Sequence, residues 1–326
     1  MKTTGRLTRR IALVFGLVVL AAGVARAQDV IGTAFPASFP VIEDASLGVP
    51  VIGFGAVGSA TRTPVIFLHG NGGTPYDTSC GMWPTLIRSM AQYFANAGYS
   101  GSELWALGYQ GTQCDLIDHP VNNSSLAHTN TANVPDLRRF VNAVLVSTGA
   151  RKVDIVAHGM GVTLVREWVR QYGAQNLVRR FVAIEGPNSG MITCSPSPSN
   201  YWQLAFLGGF SPTSPVCQEL GSPNTLFLKV LNKAGNRIDP KNTLVIRNGD
   251  ASFLFLPVQD GGFAPVPAMD SFGKPIDFSK SPRIGRATEL VVTAQGAYDV
   301  FQGTAHIGIA NSPQTWQAAL SYLTRP

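Results

Sequence analysis

The run Val153-Asp154-Ile155-Val156-Ala157-His158-Gly159-Met160-Gly161-Val162 restricts the architecture of this chain more than any other segment. It reads as an apolar strand over residues 152–157, a one-residue turn, and a helix over residues 160–172. A strand this apolar on both sides belongs to a sheet covered on both faces. So tight a turn needs small residues two before and two after its centre, and Ala157 and Gly161 supply them. The central residue is held in a strained conformation and aims its side chain along the helix N-terminus, where the dipole and free N–H groups favour negative charge. In this chain the central residue is Gly159, whose side chain is a hydrogen atom.

The rest of the sequence repeats the alternation. Strands are expected over residues 51–57, 64–68, 102–108, 181–185, 243–247 and 290–293, and helices over 83–97, 136–148 and 313–323. Strands separated by helices of this length pair in parallel through right-handed crossovers, which predicts an α/β, doubly wound, mostly parallel sheet with helices on both faces. Two irregular, lid-like insertions break the alternation, residues 194–223 and 252–286. Tyr201, Trp202, Phe206, Phe210, Phe253, Phe255 and Phe263 cluster in them, either as core under long loops or as an apolar surface for an acyl chain or polymer.

Residues 1–27 have the form of a signal peptide: Lys2, Arg6, Arg9 and Arg10, then apolar residues 11–24, then Ala25-Arg26-Ala27. Arg9-Arg10 lacks the rest of a twin-arginine motif, so the ordinary secretory route is expected, leaving a secreted or periplasmic protein. The apolar run is too short for a membrane span. The leader carries five Lys or Arg and no acid, so only +1 of the formal net charge of +6 belongs to the remainder. That balance excludes nucleic acid or an anionic membrane as a partner read from charge. Residues 28–326, within a chain that is 45% hydrophobic, suit one large domain. Cys80, Cys114, Cys194 and Cys217 suit two disulfides in an oxidising compartment, and the more local pairing joins Cys80 to Cys114 and Cys194 to Cys217. Zinc is the rival, but no CxxC or paired Cys/His spacing is present.

Three further signals fit the chemistry of a nucleophile elbow, in which a base, an acid and two backbone donors surround the central side chain. The apolar strand before His69-Gly70-Asn71-Gly72-Gly73 ends in a glycine-rich turn, where Asn71 is placed to donate one oxyanion N–H and Met160, after the elbow centre, the other. Phosphate binding is the rival for such a turn, but no GxGxxG or Walker pattern follows. His306, in a loop expected between the last strand and the last helix, has the chain position of the general base. His119 and His128 lie in a polar stretch without strand context. The acid that orients the base belongs at a strand end between elbow and base, which favours Asp250, with Asp260 and Asp270 as alternatives.

With these residues in place the chain resembles the secreted bacterial lipase group that includes extracellular poly(3-hydroxybutyrate) depolymerases. The resemblance rests on Ala157 to Gly161 against an Ala-His-Ser-Met-Gly box, on His69-Gly70-Asn71-Gly72, on Gly186-Pro187-Asn188 and on His306. It implies an α/β-hydrolase fold, hydrolysis of lipid or polyester carboxyl esters through an acyl-enzyme, and no cofactor or metal. Gly159 departs from the box at the nucleophile itself. Glycine tolerates the elbow backbone better than serine, so the substitution removes chemistry and leaves structure. Ser189, after the neighbouring strand, is a candidate replacement, though its ordinary reading is a turn serine. A water activated by His306 is another, and a slow one. The expectation is therefore a carboxyl-ester hydrolase scaffold lacking its nucleophile; the alternative is an inactive homologue that binds an ester, a hydrophobic polymer or a protein partner.

Overall fold

A computed structural model describes residues 53–70, 87–108, 129–196, 211–235, 237–248, 269–278, 280–292 and 305–326. The leader, Asn71, Cys80, Cys114, His119, His128, Asp250, Asp260 and the clustered aromatic residues of the two insertions lie outside them.

Seven strands form one sheet: β1 (Gly53–Phe54), β2 (Val65–Leu68), β3 (Leu104–Leu107), β4 (Val153–His158), β5 (Val178–Ile184), β6 (Thr243–Asn248) and β7 (Thr288–Val292). Their order is β1-β3-β2-β4-β5-β6-β7. β1 runs antiparallel to β3, and every other pairing is parallel. The described helices are α1 (Ile87–Asn96), α2 (Asn130–Thr148), α3 (Met160–Tyr172), α4 (Pro215–Leu220), α5 (Leu226–Lys233), α6 (Ala305–Ala310) and α7 (Pro313–Thr324).

Side chains alternate between the two faces of a strand, and here both faces are filled. Ile66 and Leu68 of β2, Ile155 and Ala157 of β4, and Phe181 and Ala183 of β5 pack with Leu137, Phe140 and Val141 of α2 and Leu164 and Trp168 of α3. Their neighbours Val65, Phe67, Val156, Val182 and Ile184 pack with Met90 and Phe94 of α1 and Ala319 and Leu323 of α7. The central strands are therefore apolar on both faces over most of their length, as the continuous runs in the sequence predict, and the doubly wound α/β architecture is observed. The C-terminal end of α7 is fastened to β5: the Arg180 guanidinium donates to the carbonyls of Leu323 and Arg325 at 2.7 and 2.6 Å. Those hydrogen bonds satisfy carbonyls that a helix terminus leaves without partners.

Several elements differ from expectation: β1 is only Gly53–Phe54 within the expected 51–57, β5 begins three residues early at Val178, and α5 is a helix that the sequence reading does not place. The helix expected over 136–148 begins six residues earlier, at Asn130, and continues through Pro135. Its first turn is held from a distance by Glu219 of α4, whose carboxylate accepts from the N–H groups of Asn130 and Thr131 at 2.6 and 3.1 Å and from the Thr131 hydroxyl. A negative group here also complements the helix dipole. The insertion over 194–223 is not wholly irregular, because it contains α4, whose Val216, Cys217 and Leu220 are buried in the core on the α2 and α3 side. The Cys194–Cys217 disulfide is present and ties α4 back to the segment after β5. Finally, His306 lies in the first turn of α6, not in a loop.

Candidate active site

The register brings the C-terminal ends of the central strands to one edge, with Leu68 beside Ala157, His158 beside Ile184, and Ile184 beside Ile246. In open α/β sheets this edge is where ligands bind. The residues that follow β2, β4 and β5 are His69, Gly159 and Glu185.

Gly159 has φ 54 and ψ −127, the backbone expected at the centre of the elbow. Its N–H donates to the Ile184 carbonyl at 2.9 Å, and its carbonyl accepts from the Val162 N–H at 3.0 Å. The helix leaves the turn hard against its neighbours. A β-carbon on Gly161 would stand 2.7 Å from the His69 carbonyl oxygen, and one on Gly186 would stand 2.4 Å from Cγ1 of Val162. Glycine at 161 and 186 is thus what lets α3 start where it does.

His306 faces that start. A β-carbon on residue 159 would lie 3.1 Å from its Nε2, 3.5 Å from its Cε1 and 3.3 Å from the Gly70 Cα. The His158 Nε2 donates to the His306 carbonyl at 2.9 Å, and the two rings lie 4.4 Å apart at 37°. His69 is fully buried, and its Nδ1 donates to the Gly70 carbonyl at 2.7 Å. Burial disfavours the charged form of all three imidazoles: it pushes His306 down to about 3 and His69 to about 4, and lowers His158 well below the usual range. Each is a neutral ring with one donor and one acceptor nitrogen at physiological pH.

Met160 is the first residue of α3, so its N–H belongs to the turn that has no carbonyl within the helix to bond. Asn71 and Asp250 lie outside the described residues, Asp250 two positions past the end of β6. Asp270 is engaged elsewhere, its carboxylate accepting from the Ser222 hydroxyl at 2.6 Å and from the N–H groups of Phe272 and Lys274. The N–H of Ser189 donates to the Ser281 hydroxyl at 3.0 Å, on a loop fastened by Arg166 to Asn188 at 2.7 Å. Sequence reading missed Glu185. It is 1% exposed, and its Oε2 lies 3.8 Å from Nδ1 of His306. Its only local signal is an acidic residue at the end of an apolar strand, before Gly186-Pro187.

Residues 62–253, more than half of the chain, match the family model of lipase, class 2. The chain belongs to the class 2 lipase family. The chain is similar in structure to the mature form of Bacillus licheniformis lipase BlEst2, with a TM-score of 0.51 at 18% identity, over 84% of this chain and 97% of that one. Aspergillus fumigatus lipase B matches with a TM-score of 0.47 at 14% identity, over 88% of this chain and 58% of that one. The first likeness shows the α/β-hydrolase fold, and the family shows a carboxyl-ester hydrolase scaffold. No helix among the described residues is long and apolar enough to cross a membrane.

Proposed function

We propose that this chain is a secreted member of its family that binds lipid or polyester esters at the elbow but, lacking a nucleophile at residue 159, does not form an acyl-enzyme. The observation that carries the proposal is the 3.1 Å between His306 Nε2 and the β-carbon position of residue 159. A base aimed at one backbone position, across an elbow that retains its strained angles, is an arrangement for deprotonating a side chain there.

In the complete site the hydroxyl at 159 attacks the ester carbonyl and passes its proton to Nε2 of His306. Asp250 holds the imidazole in position. The N–H groups of Asn71 and Met160 receive the negative charge of the tetrahedral intermediate. As it collapses, the bond to the alcohol oxygen breaks and His306 returns the proton to that oxygen, leaving an acyl-enzyme. Water attacks the acyl group by the same route to release the acid and free the hydroxyl. Without the hydroxyl the donors and base remain and the covalent step is lost, which in triads of this kind lowers turnover by about six orders of magnitude.

The same distance also shows how the site has adjusted to glycine. A carbon 3.1 Å from Nε2 is tighter than ordinary contact, so the imidazole stands a few tenths of an ångström inside the room a serine needs. Restoring the serine requires only that small retreat.

Hydrolysis of a short p-nitrophenyl ester by the chain and by Gly159→Ser tests the proposal, with a long ester and a polyester beside it to assign the substrate class. The parent is expected at background and the variant at least about 1,000-fold above it. A parent as fast as the variant overturns the proposal, and if Ser189→Ala then abolishes that activity, Ser189 is the nucleophile.

A further inference from the structure

Glu185 occupies a costly position. It is the single non-glycine residue of positive φ among those described, at φ 48, and its side chain is almost wholly buried. A left-handed backbone is unfavourable for an L-residue, and an acidic group removed from water adds to the cost. Such costs persist where surrounding structure imposes them, commonly at functional sites.

The surroundings specify an orientation. The Ile184 carbonyl, immediately before Glu185, accepts the Gly159 N–H, so the residue is anchored to the elbow. The Glu185 N–H donates to the Ile246 carbonyl at 3.0 Å. One side-chain oxygen, Oε1, accepts the N–H of Asn248, the last residue of β6. The other, Oε2, is thereby turned toward Nδ1 of His306, 3.8 Å away, while Nε2 of the same ring faces residue 159.

We infer that Glu185 is a positioning residue for His306, a carboxyl group that keeps the proton of the imidazole on Nδ1, so that Nε2 turns its lone pair toward residue 159. The inference rests on the hydrolase reading for its purpose but not for its test. A neutral imidazole carries one proton, and an acceptor on the Nδ1 side selects the tautomer a general base requires. The plain alternative, that Glu185 only closes the end of β6, makes a different prediction for Glu185→Gln. Glutamine keeps a carbonyl oxygen for the Asn248 N–H but replaces the oxygen near Nδ1 with an N–H donor, which favours the opposite tautomer.

The experiment is nitrogen-15 NMR of the histidine rings in the whole chain, with His306 assigned by difference against His306→Gln. The parent is expected to show His306 with its proton on Nδ1, and Glu185→Gln to move population to the Nε2–H form. A parent already protonated on Nε2, which is readable even if the variant fails to fold, overturns the inference, as does a His306 signal unchanged by the substitution. In the Gly159→Ser background, Glu185→Gln should lower kcat at least about 10-fold with KM within twofold. If Gly159→Ser shows no turnover while the tautomer shifts, the hydrolase reading fails and the role of Glu185 stands. If Gly159→Ser turns over and Glu185→Gln changes neither kcat nor tautomer, the role of Glu185 fails and the hydrolase reading stands.

Discussion

The ring of His158 donates through Nε2 to the backbone carbonyl of His306 at 2.9 Å, joining the end of β4 to the start of α6. His306 and the turn at Gly159 are therefore tied together by a bond that spans 148 residues of sequence. His158→Ala removes it, at a cost of about 0.5–1.5 kcal/mol for the lost hydrogen bond. In the Gly159→Ser background the expected result is a lower unfolding midpoint and a kcat reduced at least about 10-fold, because the imidazole is held less closely. Urea unfolding and ester turnover on the same samples check it.

Glu219 is the distant cap of α2. Replacing it with alanine deprives the N–H groups of Asn130 and Thr131 of their acceptor and removes a negative group from the helix N-terminus. The loss is expected to be about 3 kcal/mol, since bonds to charged groups are the stronger kind. Chemical denaturation of Glu219→Ala measures it, and a change below about 0.5 kcal/mol would show that water replaces the carboxylate.

Gly186 and Gly235 make a controlled pair. A β-carbon at 186 meets Val162 at 2.4 Å, whereas at 235 it meets nothing within 4 Å and faces only a φ of 69. Gly235→Ala should cost about 1 kcal/mol from backbone strain. Gly186→Ala should cost about 3 kcal/mol or more, because α3 must move off β5. Equal midpoints for the two variants would remove the close approach of α3 as the reason for glycine at 186.

Acid should unfold this protein early. The three buried imidazoles bind protons in the unfolded chain near 6.5, but in the folded chain only at about 4 for His69 and about 3 for His306, with His158 also lowered. Between those limits the unfolded state holds more protons, so the stability these residues contribute is complete above pH 6.5 and is lost as pH falls toward the folded values. Each group contributes a slope of up to about 1.4 kcal/mol per pH unit. Denaturant midpoints should fall steeply from pH 6.5 to 4.5 and change little from these groups between pH 7 and 8.

What the sequence made legible was contiguous. The elbow from Val153 to Gly161 could be read because strand, turn and helix each leave a local pattern, and α3 begins and ends as expected because Gly159 and Gly173 bracket it. Gly186 and Glu219 act across the fold. The start of α2 at Asn130 has a local mark in Thr129, whose hydroxyl accepts the Ala132 N–H, but Pro135 obscures the helical run that follows, and the carboxylate that holds the first turn comes from α4. Sequence places His306 in a loop because Ala305–Ala310 is a single short helix, too brief to show a period. Glu185 was hidden for the opposite reason: its neighbours read as an ordinary strand end, and its approach to His306 exists only once β5, β6 and α6 meet.

The most direct test is intact-mass analysis after exposure to a p-nitrophenyl alkylphosphonate, which labels a hydroxyl only where base and oxyanion donors activate it. Gly159→Ser is expected to gain one phosphonyl group and lose ester hydrolysis together with it, while the parent stays unlabelled. A Gly159→Ser chain that folds yet remains unlabelled would contradict a site complete but for its nucleophile.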